Sequence, residues 1–364
     1  MFTHFLKRLF GASGDTSDKA AAGNGGRAAG SAAASAESQA AALAAAVASN
    51  EAAAAPAAHA HATVPVPNDP ITVEAALRRS LHWRAKVLMD GATREAQQSD
   101  APALVEELTK AGEQVIRQPP EAAMRALNVA RNPNSSLAQI VVLFEHDPML
   151  VQALLRQANS VYYKRDGNPC NSVHAAVQRV GLKGVQGILM ESMVQQMLCR
   201  PGGSYDALVQ KVWSHMQRTA PIARAVAPAF GVDGETAYSL ALLHDVGKLL
   251  TFDHISSLRH KRRREVKMPD VFFRQLLYHL HEPLGGLAVL RWDMGVDAAR
   301  AIAEHHRRPA PRTPDLMTEC LHVSEAIELA HTNFTKLDWD AIWKNGEITT
   351  DVVHVQDRLR RMEA

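Results

Sequence analysis

The chain has 364 residues, enough for one large domain with accessories or for two domains. Its 40 Lys and Arg stand against 38 Asp and Glu, a formal net charge of +2, which excludes a global field drawing the chain to nucleic acid or anionic lipid; any such contact must be local. The three cysteines, Cys170, Cys199 and Cys320, fit neither a disulfide framework nor a cysteine zinc site, and no apolar run approaches the roughly 20 residues that span a bilayer. With no secretory leader pattern at the start, the expectation is a soluble cytoplasmic protein, at most peripheral to the inner membrane.

In chain order, Met1-Phe-Thr-His-Phe-Leu-Lys-Arg-Leu-Phe10 comes first and places Phe2, Phe5, Leu6, Leu9 and Phe10 on one helical face, with Lys7 and Arg8 opposite. This short amphipathic segment suits weak membrane contact or docking on another protein. Residues 11–68 are almost entirely Ala, Gly, Ser and small polar residues, too poor in apolar side chains to offset ordering entropy, and read as a linker. His59 and His61 lie in it as linker residues, since two mobile imidazoles make a poor site.

From Ile71 onward the pattern is helical, with amphipathic stretches over 72–90 and 102–117 that make residues 69–112 a set of accessory helices. Asn134-Ser-Ser136 caps a helix whose core face is Leu137, Ile140, Val141 and Phe144. Asp147 with Pro148 opens the next, where the missing proline N–H costs nothing. Ser172 opens a third, Gly181 ends it, and Val185, Ile188 and Leu189 mark a fourth. The pair around Gly181 has the outline of a helix-turn-helix, but only Lys183 is basic near the start of its second helix, so nucleic-acid recognition is not expected. Further helices are predicted over 205–230, 234–252, 270–291 and 297–307. The fold class is therefore all-α, a multi-helix array.

Along these last helices run His215, His244, His281, His305 and His306, with Asp245 directly after His244 in the apolar stretch Ala237–Leu250. An imidazole and a carboxylate in such a helix are costly to bury unless paired or bound to a cation. Nitrogen and carboxylate donors suit divalent ions such as Zn, Mn and Fe. His254, His260, His279 and His322 fall outside the ordered series and read as structural or solvated. The basic run Arg259–Arg264 could meet a phosphate, but with no aromatic interleaved it reads as a solvated loop.

Leu243-His-Asp-Val-Gly-Lys248, with Trp213-Ser-His215 upstream and a His-His pair downstream, resembles the signature of the HD metal-dependent phosphohydrolases. Glu145-His-Asp-Pro-Met-Leu150 and Leu155-Arg-Gln-Ala-Asn-Ser160 narrow the resemblance to HDOD domains, and Val173–Gly181 and Trp292 fit as well. The resemblance covers about 113–310, leaving 311–364 as C-terminal helices. It implies an HD-like fold in which His215, His244 and Asp245 hold a first divalent metal (Mn, Fe, Zn or Mg), with Asp245 as bridge, while His281, His305 and His306 hold a second. The final Asp of the HD pattern is replaced, since Leu321–Ile327 offers only Glu325. After His306 the chain reads Arg-Arg-Pro-Ala-Pro, without the GYP segment of the cyclic-di-GMP phosphodiesterases, and that activity is rejected.

Two functions follow from the resemblance. One is a bacterial signal-transduction regulator that binds a partner protein or a nucleotide through its helical scaffold, with an HD-type metal site. The alternative is a metal-dependent phosphohydrolase acting on a nucleotide or phosphoester, with Asp245 and Lys248 catalytic and Lys248 offsetting charge on phosphate oxygens.

Overall fold

The computed structural model describes residues 69–306 and 315–363, apart from 146, 161, 165–167 and 200–204. The amphipathic opening of residues 1–10 and the segment 11–68, with His59 and His61, lie outside the described residues. All regular structure among the described residues is helical, and no helix there is long and apolar enough to cross a membrane. The three cysteines are free thiols.

Helix α1 (Pro70–Asp90) starts where Asp69 accepts a hydrogen bond from the Thr72 amide at 2.9 Å. Its buried stripe of Val73, Leu77, Leu81, Ala85 and Leu88 follows helical spacing, and its partner is α11, defined below. Helices α2 (Arg94–Gln97) and α3 (Ala101–Lys110) complete the N-terminal accessory part. The helix expected over 102–117 stops at Lys110, because Ala111 takes a left-handed conformation (φ 43°) ahead of Gly112.

The next four helices surround a small core of their own. They are α4 (Glu121–Arg131), α5 (Leu137–Glu145), α6 (Pro148–Ala158) and the long α7 (Val173–Leu198). Leu127, Ile140, Phe144, Leu154, Val177 and Ile188 fill that core. Asp147 caps α6 by accepting from the Met149 and Leu150 amides, and Ser172 caps α7 by accepting from the Ala175 amide at 3.1 Å. Gly181, at φ 73° and ψ 172°, leaves the helical conformation and divides α7 into two helical halves that meet at a kink, so the helix end expected there is present. Lys183, the lone base of the helix-turn-helix outline, is ion-paired to Asp233 at 3.1 Å.

The larger core joins the accessory helices, the second half of α7 and all that follows. Its helices are α8 (Asp206–Val226), α9 (Gly234–Ala241), α10 (Val246–Arg262), α11 (Asp270–Arg291), α12 (Val296–Ala303), α13 (Leu316–Thr332), α14 (Trp339–Gly346) and α15 (Val352–Glu363). Trp292 is fully buried and its indole N–H donates to the Arg117 carbonyl at 2.9 Å, tying the end of α11 to the chain after α3. The basic run, expected as a solvated loop, is mostly the last turn of α10, where cations oppose the helix dipole. Arg262 pairs with Glu107 at 3.0 Å, Arg264 with Asp100 at 2.6 Å and Arg259 with Glu265 at 2.6 Å, so carboxylates engage this face.

Two helix expectations are corrected at the histidines. The single helix expected over 234–252 is broken: α9 ends at Ala241, tight turns carry His244 and Asp245, and α10 begins at Val246. The helix expected to reach 307 ends at Ala303, which leaves His305 and His306 on a turn. The geometry gives the reason. Successive residues of an α-helix point about 100° apart, so two neighbours cannot both face one centre unless the backbone leaves the helix.

Gly247 sets how closely α10 meets α11. A Cβ there would lie 2.0 Å from the His281 carbonyl oxygen and 2.7 Å from its carbon, both backbone atoms with no room to yield. Gly247→Ala should therefore cost about 3 kcal/mol or more, the upper range of overpacking. Denaturant unfolding checks this, and unchanged stability would contradict the contact.

Candidate metal centre

Six of the seven sequence-derived ligands are buried and the seventh, His306, nearly so. All seven converge. His215 comes from the middle of α8, His244 and Asp245 from the turn before α10, His281 from the middle of α11, His305 and His306 from the turn after α12, and Glu325 from the middle of α13. Donor atoms of His215, His244, Asp245 and Glu325 lie within 4.8 Å of one another, and so do those of Asp245, His281, His305 and His306. Asp245 belongs to both groups.

Its two oxygens face opposite ways. Oδ2 lies 3.6 Å from His244 Nε2 and 3.9 Å from His215 Nε2, while Oδ1 lies 3.5 Å from His281 Nε2 and 3.8 Å from His305 Nε2. Glu325 Oε1 closes the first group at 3.6 Å from His215 Nε2, and its Oε2 reaches His306 Nδ1 at 3.3 Å. Lys248 donates to Asp245 Oδ2 at 2.9 Å.

The outer nitrogens of four rings are fixed. His244 Nδ1 donates to the Ala241 carbonyl at 2.8 Å, His281 Nδ1 to that of Leu277 at 2.7 Å, and His305 Nδ1 to that of Ile302 at 2.7 Å. His215 Nδ1 donates to Glu328 Oε2 at 2.6 Å, and Glu328 is held in turn by Arg218 and Thr332, each at 2.6 Å. A carbonyl or carboxylate needs an N–H, so each neutral ring presents the lone pair of Nε2 to the centre. These are the outer hydrogen bonds that orient metal-binding imidazoles.

Asp245 Oδ1, Glu325 Oε1 and His305 Nε2 are buried without a hydrogen-bond partner. Orphaned acceptors of this kind are costly, and all three point inward among other acceptors. The donor set therefore fits divalent cations, which would satisfy them together.

Charge completes the picture. Burial works against the Asp245 carboxylate, but Lys248 and the surrounding histidines overcome it and hold its pKa far below the usual range. Burial likewise opposes ionised Glu325, yet His306 and His215 keep it well below the usual value. Burial lowers His305 to about 3, helped by the charge of His306, and lowers His244 and, well below its usual value, His281. His215 and His306 go the other way. Burial alone would lower both, but Glu325 and Glu328 raise His215 to about 10, and Glu325 and Glu282 raise His306.

Within each group two rings meet edge to edge, His215 Nε2 to His244 Nε2 at 3.1 Å and His306 Nε2 to His281 Nε2 at 2.9 Å.

The HDOD domain family matches residues 116–308. The chain belongs to the HDOD family. A protein of unassigned function from Treponema pallidum (strain Nichols) is 26% identical over 200 residues, covering 53% of this chain and 38% of that protein. The chain thus spans well under half the length of this relative. Two solved structures from Shewanella amazonensis SB2B share the fold. One, provisionally named a metal-dependent phosphohydrolase, has a TM-score of 0.57 at 18% identity and covers 72% of this chain and 98% of its own. The other, provisionally named a phosphohydrolase, has a TM-score of 0.53 at 20% identity and covers 73% and 97%.

Glu325 and its neighbour Glu328 lie beyond the HDOD match. Sequence reasoning missed Glu328, Arg218 and the buried pair of Glu282 with Arg84. A spacing of three from Glu325 on one helix face was a usable signal for Glu328; nothing local marked Arg84.

Metal ligands must be unprotonated, so binding should expel the proton held on His215. Because His215 is raised to about 10, apparent metal affinity should climb with pH up to about 10 and fall toward acid. Calorimetry in buffers of different ionisation enthalpy counts the protons, and pH-independent binding without proton release would contradict this assignment.

Proposed function

We propose that this HDOD chain is a signalling protein built on a two-metal centre, with His215, His244, Asp245 and Glu325 holding one divalent ion and Asp245, His281, His305 and His306 the other. Asp245, common to both groups, would be the shared ligand. The observation that carries the reading is the pair of four-donor groups sharing one buried carboxylate. Ions so held supply Lewis acidity toward a phosphoryl oxygen, which suits a nucleotide or another phosphorylated ligand.

Coordination number separates a regulatory from a catalytic use. Four protein donors around each position match the closed arrangement of structural zinc, whereas catalytic sites keep a position open. Zinc in this centre would order the module for a partner protein or nucleotide. Octahedral Mn, Fe or Mg would leave positions free for phosphate oxygens.

A second reading, hydrolysis of a phosphoester, is favoured by Lys248, a buried cation beside the centre that touches Asp245 directly. In that reading Asp245 organises the ions and Lys248 offsets charge on the phosphoryl group.

Asp245→Ala and Lys248→Ala separate the two. The first should strip the metal and weaken folding or partner binding, while the second should leave metal in place. Across a panel of aryl phosphates and nucleotides, wild type loaded with zinc or manganese is expected to show no turnover above the metal alone. Metal-dependent turnover that vanishes in both variants would overturn the regulatory reading and establish the hydrolase.

A further inference from the structure

We infer that Arg84, on a helix outside the HDOD match, positions the second metal subsite through Glu282, which makes α1 part of the centre. The inference rests on the two-metal reading. Glu282 follows His281 on α11 and is fully buried, with Arg84 nearly so. The Arg84 guanidinium donates to Glu282 Oε2 in a close ion pair, and the same nitrogen reaches the His279 carbonyl at 3.5 Å. The other oxygen, Oε1, accepts from the backbone amide of His306 at 3.2 Å.

One carboxylate thus ties two pieces of the second subsite, α11 with His281 and the turn with His305 and His306. That turn lies past the end of α12, outside the helix. Its two rings must face Asp245 from adjacent positions, so their placement depends on the backbone, and Glu282 is what the His306 amide is fastened to. Arg84 fixes the direction of that carboxylate by a charged bond that a neutral side chain would not match. Leu81, Ala85 and Leu88 seat α1 in the core on either side of Arg84, so the guanidinium is delivered by a packed helix rather than a free arm.

The first subsite has a parallel support from the other side, where Arg218 holds Glu328 and Glu328 holds His215. The two subsites therefore answer to different helices, and loss of one support should leave the other ion in place.

The test uses the full chain and measures the affinity of each site for zinc and manganese by competition with a chromophoric chelator, well below the unfolding midpoint. Arg84→Met should weaken one of two sites by about 10- to 100-fold, the usual effect of removing a residue that orients a ligand, and leave the other within about twofold. Arg84→Lys, which keeps the charge but not the fork, should fall between. The double variant Arg84→Met with Glu282→Gln also removes the buried charge that Arg84 balanced, so its melting temperature should recover while the weak site stays weak. Two unchanged affinities in a destabilised Arg84→Met chain would make Arg84 merely structural and overturn the inference. Recovery of both metal affinities in the double variant would overturn it as well. A wild-type chain that binds no metal would overturn the two-metal reading and this inference together, whereas intact wild-type binding with an insensitive variant would sink the inference alone.

Discussion

The buried charge of Asp245 is the constraint around which the larger core is arranged. A carboxylate with no solvent exposure is tolerated only with strong compensation; here the Lys248 ammonium touches one oxygen, and the rings of His215, His244, His281 and His305 crowd around both. Those rings come from four separate places in the chain. To bring them together the fold breaks the helix that the sequence favours over 234–252, ends another before His305, and lets α10 approach α11 so closely that only glycine fits at 247. Local helix propensity gives way to the geometry of one centre. Such conflicts between local preference and tertiary structure are expected at functional sites.

Around the ligands lies a ring of supports, each with its own charge partner. Removing one member of a buried ion pair commonly costs about 3–5 kcal/mol, because the survivor remains buried and unpaired. Arg84 with Glu282 is therefore a fixed feature of the core as well as of the cluster, while Arg218, a third exposed, holds Glu328 from the rim. Neither Arg84 nor Glu328 falls within the HDOD match, and Glu325 does not either. The helices before and after the HDOD segment thus contribute Arg84, Glu325 and Glu328 to the cluster and its surroundings.

The legible parts of the sequence were those written in short range. Helix caps at Asp147 and Ser172, the helix end at Gly181 and the full span of α11 follow from local chemistry, and the structure has them in place. The converging histidines could be named because a motif order carried them, although no local rule says that His215 meets His244. What stayed hidden was long-range. The turns at 242–245 and 304–306 exist because adjacent side chains must share one target, and Ala111 ends α3 in a left-handed conformation that alanine does not advertise. No rule of local pairing reaches a contact such as Arg84 to Glu282, which joins residues 198 apart in the chain.

The central claim is that Asp245 bridges two cations, and anomalous diffraction from crystals of the full chain, collected at metal absorption edges, tests it most directly. Two peaks are predicted, one on each side of Asp245, each about 2.0–2.3 Å from its histidine nitrogens and carboxylate oxygens. A map without anomalous density, in which water or protein donors satisfy Asp245 Oδ1 and Glu325 Oε1, would contradict it.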